Sequence, residues 1–196
     1  MNSSRIHQVL FVAAGLAMSA SLVAQTPAPA APAATPPAGP PRLAFPAPSP
    51  TSTLKQRVGI TDIEIVYARP GLKGRVMIGK IEPYGEVWRT GANNATTITF
   101  STAVKLGGQD VPAGKYALFT IPNENEWTLI INKETGQFHL NYNAELDFGR
   151  TKMNLKSLAE PVDTFRVELR NDGGNKGTLA LIWENTEASI PFTVEN

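Results

Sequence analysis

From Thr51 to Val194 apolar residues recur in runs at every second position, and that period narrows the available folds more than any other feature of the chain. Successive side chains of a strand point to opposite faces, so such alternation specifies one buried and one solvated face. Ile63, Ile65 and Tyr67 share a face opposite Asp62 and Glu64, and Ile98 and Phe100 alternate with Thr97 and Thr99. The pattern continues at Ala117, Phe119 and Ile121, then at Trp127, Leu129 and Ile131. It returns at Phe165, Val167 and Leu169, at Leu179, Leu181 and Trp183, and at Ala188, Ile190, Phe192 and Val194. Turn formers separate these runs at Gly107-Gly108, Pro112-Ala113-Gly114, Pro122-Asn123-Glu124-Asn125 and Asp172-Gly173-Gly174-Asn175. Short strands at this spacing predict an all-β fold, an antiparallel β-sandwich of jelly-roll or Ig-like size with little helix. Pro191 cannot donate to a ladder, which predicts a sheet edge or a non-pairing position there. Lys133 to Arg150 keeps neither period and predicts a loop with a short turn of helix.

The chain upstream of these runs has a different composition. Residues 25–50 are dominated by Pro and Ala and contain no acidic residue, which predicts an extended, polyproline-like, disordered linker. Residues 1–24 carry Arg5 ahead of an apolar run from Val9 to Ala24, the layout of a secretory signal peptide. That run is short for a membrane span and is interrupted by Gly15, Ser19 and Ser21. Cleavage after Ala24 is expected to leave an exported protein, periplasmic or extracellular, with no stable membrane insertion. Residues 51–196 then form the single folded domain.

The 18 Lys and Arg residues nearly balance the 17 Asp and Glu residues, which argues against a nucleic-acid partner and against polybasic membrane attachment. With no cysteine, the chain has no disulfides, thiolate nucleophiles or Cys-ligated zinc. His7 lies in the expected signal, which leaves His139 as the one imidazole for a triad or metal site. No metal, no cofactor and no catalytic residue set is therefore expected. Glu82, Glu86, Asp147 and Glu184 could pair for glycoside hydrolysis, yet nothing in their spacing selects a pair. His139, Tyr142 and Asp147 fall in the irregular loop, where functional groups often reside.

The stretch from Tyr67 to Phe100 concentrates residues that suit a binding surface. Arg69, Arg75 and Arg89 stand among Gly71, Gly74, Gly79, Gly85 and Gly91, which suggests guanidinium groups carried on tight turns. Tyr67, Arg69, Arg75, Tyr84, Trp88, Arg89, Asn93 and Asn94 form the candidate ligand-binding set. The competing explanation is structural: Arg89 paired to Glu82 or Glu86, and Gly91 to Asn94 serving only as a turn. Trp127 and Trp183 lie on apolar strand faces and belong to the core, whereas polar neighbours leave Trp88 open to either role.

The residues Tyr67-Ala68-Arg69-Pro70, Gly74-Arg75, Pro83-Tyr84-Gly85, Val87 to Asn93 and Thr96 to Phe100 resemble the signature of a family of exported bacterial proteins, catalogued as domain of unknown function 2911. The resemblance continues through Pro112-Ala113-Gly114, Tyr116 to Phe119 and Glu126-Trp127-Thr128, and departs at Gln137 to Asn143, where a tryptophan-glycine pair is expected. It implies an exported, mostly β domain and carries over no catalytic residues.

Two functional readings follow. In one, the Arg/Trp/Asn-rich loop face is a non-catalytic envelope module for a small polar or anionic ligand, a glycan or an envelope protein. In the other, Arg, Tyr and carboxylate groups make a metal-independent hydrolase or lyase acting on envelope sugars. Both predict that exhaustive chelation leaves the thermal midpoint of the protein unchanged. Stoichiometric metal in protein purified without added ions, lost together with folding on chelation, would contradict that.

Overall fold

A computed structural model describes residues 47–136 and 141–195. Over these residues the fold is all-β and antiparallel, with nine strands in the spatial order β1-β2-β3-β6-β7-β8-β9-β4-β5. These are β1 (Thr51–Val58), β2 (Thr61–Ala68), β3 (Thr96–Phe100), β4 (Val104–Leu106), β5 (Gln109–Val111), β6 (Gly114–Ile121), β7 (Trp127–Asn132), β8 (Asp147–Gly173) and β9 (Lys176–Val194).

β8 and β9 are far longer than the others, because each takes part in both halves of the sheet. β8 pairs with β7 as far as Met153 and with β9 from Asn154 onward. β9 pairs with β8 up to Ser189, opposite Asn154, and with β4 from Phe192 to Val194. Pro191 falls just beyond the last β8 pair, so its missing N–H leaves no ladder bond unmade, and its carbonyl accepts from Gly107 N at 2.9 Å. What reads in sequence as separate strands around Leu179 and Ile190 is one strand that bends at Glu184, a residue with φ 51°.

The sheet folds over so that its two halves face one another across a shared core. Ile63, Ile65, Ile98, Leu118, Leu129 and Ile131 from one half meet Phe165, Leu179, Leu181, Ile190 and Phe192 from the other, all buried. After β2, residues 70–72 reach the free edge of β8. Phe165 N donates to Pro70 O and Leu72 N to Asp163 O, each at 2.9 Å, and Tyr67 stands edge-on to Phe165 at 5.8 Å. β6 departs from simple alternation: Leu118 faces this core, whereas Ala117 and Phe119 join Ala95 and Ile130 in a second cluster on the outer face.

The irregular region holds the expected helical turn as a 3-10 segment at Ala144–Leu146, capped by the Asn143 side chain accepting from Glu145 N at 3.0 Å. It is shorter than the sequence suggests, because β8 already begins at Asp147. His139 lies outside the described residues.

The N-terminal end of β1 is tied down by backbone. Pro50 O accepts from Arg69 N at 2.9 Å and Ser49 O from Asn93 Nδ2 at 3.3 Å. A chain starting at Pro48 should therefore melt at the parent midpoint, whereas one starting at Thr51 loses both contacts and about 1 kcal/mol. Chemical denaturation of the two truncations distinguishes them. A loss already present at Pro48 would mean that the Pro/Ala tract packs on the domain.

Candidate functional site

Trp88 positions everything in this region. Its N–H donates to Thr120 O at 2.7 Å and its carbonyl accepts from Thr120 N at 2.8 Å, so the segment runs beside β6 where β3 has ended. The indole enters the core, stacked on Trp183 at 5.5 Å and edge-on to Trp127 at 6.1 Å, and Nε1 donates to Gly91 O at 3.1 Å. Trp88 is 2% exposed, which makes it a core residue rather than a ligand contact.

Between that anchor and β3 the chain makes a tight loop. Thr90 is buried with φ 57°, an uncommon conformation for a β-branched residue. Thr96 holds it there: Oγ1 donates to Thr90 O at 2.5 Å and the backbone N–H donates to Arg89 O at 3.2 Å. Gly91 must be glycine, because a Cβ at its φ of 151° would stand 2.9 Å from Ala68 O. Asn93 supplies the next left-handed residue, at φ 59°. The loop is thereby laid against β2.

The loop forms one wall of an open groove of about 270 Å³ on the outer sheet face. Val66, Ala68, Ala92 and Ala95 give it apolar surface, while Thr51, Thr97, Lys115, Asn93 and Asn94 give it polar groups, with Gly136 opposite. Lys115 is exposed and Thr99 stands opposite it across the β3–β6 ladder. Glu64, the acid one strand further along that rung, is bound to Lys55 at 2.7 Å. No carboxylate lines the groove among the described residues.

The predicted residues therefore separate. Tyr67, Asn93 and Asn94 line the groove, although the Tyr67 hydroxyl accepts from Val167 N at 3.2 Å. The three arginines do not converge. Arg69 Nε donates to Phe165 O at 3.3 Å, and Arg75 clamps its own loop through Leu72 O at 3.0 Å and Gly71 O at 3.1 Å. Arg89 is half-buried with its Nε enclosed and lacking a hydrogen-bond partner among the described residues. Glu82 is the acid that opposes it: burial lowers the guanidinium pKa and raises that of the Glu82 carboxyl, and each charge partly offsets the effect on the other. They form no direct salt bridge among the described residues. Tyr84 is exposed, its ring packed over Gly79.

Lys115, Thr97 and Thr51 are absent from the sequence-based set. The available signal is their outward position on strands whose alternate residues are core, but a solvated strand face gives the same pattern.

The match to known families can be placed on this geometry. A family model described as "Protein of unknown function (DUF2911)" matches residues 49–192. The chain belongs to that family. The DUF2911 match begins at Ser49, whose carbonyl receives Asn93, and ends at Phe192 in β9. No curated protein and no solved structure gives a significant match.

Tyr142 and Asp147, from the irregular loop of the DUF2911 domain, do meet. Tyr142 OH donates to Asp147 Oδ2 at 2.6 Å, Arg150 Nε donates to the same oxygen at 2.8 Å, and Asn132 Nδ2 donates to Oδ1 at 2.9 Å. The Tyr142 ring lies 4.9 Å from Phe119, so the network fastens the loop over the outer apolar cluster. Burial and the Asp147 carboxylate push the Tyr142 phenol up to about 12, which makes it a donor and not a base near neutrality. A phenol pKa raised above its unfolded value contributes stability below pH 10 that is lost as pH rises toward 12. Tyr142→Phe should cost about 1 kcal/mol at pH 8. That difference should shrink between pH 10 and 12, measured by urea unfolding of both proteins. A constant difference across that range would show that the phenol is not held protonated by the fold.

Proposed function

We propose that the DUF2911 domain is a non-catalytic binding module of the cell envelope whose outer-face groove takes a small hydroxylated anion. The observation that carries this is the groove's lining among the described residues: Lys115, two amides and two threonine hydroxyls, with no carboxylate. A lysine without a local acid offers a point charge to a carboxylate or phosphate. Asn93, Asn94, Thr51 and Thr97 present the donors and acceptors that hydroxyl groups need, and the alanine and valine surface suits the C–H face of a sugar ring. A volume of about 270 Å³ suits a monosaccharide-sized ligand.

Among the described residues the lining has no carboxylate, and the arginines that would orient a substrate in the enzymatic reading hold backbone or face Glu82 instead. Placement in the envelope rests on the signal-like residues 1–24.

A thermal-shift series with hexuronates, sugar phosphates and neutral sugars tests the reading, since a ligand of the native state raises its midpoint. Acidic sugars should raise the midpoint saturably. Lys115→Gln should weaken that binding about tenfold or more, the worth of a hydrogen bond to a charged group. Both Lys115→Gln and Asn94→Ala should melt like the parent when no ligand is present, because both residues are exposed. Parent-like affinity in Lys115→Gln, or no response to any acidic sugar, would overturn the proposal.

A further inference from the structure

Of the four large apolar residues exposed among the described residues, three stand within nine positions of one another: Val76 at 58%, Ile81 at 49% and Tyr84 at 44%. Isolated apolar residues on a surface need no explanation, but a cluster does. Val76 and Tyr84 line one shallow depression with Leu72, Ile78 and Pro161, and Ile81 is carried on the same turn. The three cations of this segment, Lys73, Arg75 and Lys80, are all exposed, and no acidic residue occurs from Leu72 to Ile81. None of the three forms an ion pair among the described residues.

The turn is held rigidly in this outward pose. Met77 O accepts from Ile81 N at 2.9 Å and Glu82 N at 2.8 Å, and Gly79 N returns a bond to Glu82 O at 2.8 Å. From the opposite half of the sheet, the Glu184 carboxylate accepts from Met77 N at 2.6 Å and Ile78 N at 3.2 Å. Arg75 bonds the carbonyls behind it, and Lys73 takes φ 49°. Met77 and Ile78 are the buried root of the turn, so Val76 and Ile81 on either side of that root point away from the core.

We propose that this turn docks the protein on the surface of a membrane containing anionic lipid, with Val76, Ile81 and Tyr84 entering the interfacial layer and Lys73, Arg75 and Lys80 meeting the headgroups. Apolar tips beside three exposed cations suit a surface that is negatively charged at the headgroups and apolar just beneath, and of the acids next to them Glu184 is held by the Met77 and Ile78 amides and Glu82 faces Arg89. A tyrosine that is partly exposed, as Tyr84 is, suits that boundary. Attachment would be peripheral and reversible, and independent of the groove at Lys115.

The chain has no cysteine, so Val76→Cys carries a single environment-sensitive fluorophore in the full-length protein, and Lys176→Cys in the β8–β9 hairpin serves as the control. With vesicles of phosphatidylcholine containing phosphatidylglycerol, the Val76 probe should shift to the blue, and the shift should vanish in pure phosphatidylcholine or at high salt. The Lys176 probe should not respond. Changing Lys73 or Lys80 to Gln in the labelled protein should weaken the response about fivefold each, and Ile81→Asp should abolish it without moving the thermal midpoint. A silent Val76 probe, or equal responses from both probes, would overturn the proposal. So would a Val76 response that appears on raising protein concentration without vesicles, which would assign the patch to self-association.

Discussion

The stacking of Trp88 between the two halves of the sheet is the contact on which the rest of the outer face depends. Its indole belongs to the core, but its backbone is an extra rung beside Thr120. That combination fixes where the chain leaves the interior and where it must return, at Thr96. Every unusual conformation in between, including the left-handed Thr90 and the close approach of Gly91 to β2, is tolerated because both ends are immovable. The groove wall is thus a by-product of core packing, which is why it can hold polar side chains in place without a secondary-structure element of its own.

Much of the fold is legible in the sequence because a period of two is a direct statement about burial. The faces assigned to Ile63, Ile98, Leu129 and Phe165 are buried as that period requires. In β6 a second layer is at work: Ala117 and Phe119 are buried as the period requires, but beneath the loop carrying Tyr142 and the turn carrying Ala95, while Leu118 between them is buried in the shared core. The continuity of β8 and β9 is not legible, since a strand that changes partner at Met153 shows no change of period there.

The candidate site was harder to read for a different reason. Arginine, glycine and tryptophan attract attention because each is costly to place without purpose, yet a structural purpose satisfies the requirement as well as a functional one. Arg69 donates to the Phe165 carbonyl and Arg75 clamps those of Gly71 and Leu72, and Glu184 performs the reciprocal task for the N–H groups of Met77 and Ile78. Lys115, by contrast, looks ordinary in sequence, and the register that pairs Glu64 with Lys55 leaves it as the one charge among the described residues of the groove.

The way β2 reaches β8 has a consequence for how the chain acquires its structure. Pro70 and Leu72 find their partners at Phe165 and Asp163, and β4 finds its partner at Phe192 to Val194. The early strands therefore have one side of their core uncovered until β8 and β9 are present. Such long-separation pairings make folding slow, because loop closure precedes the contacts that reward it. The shared core is complete only once the β8–β9 hairpin is in place.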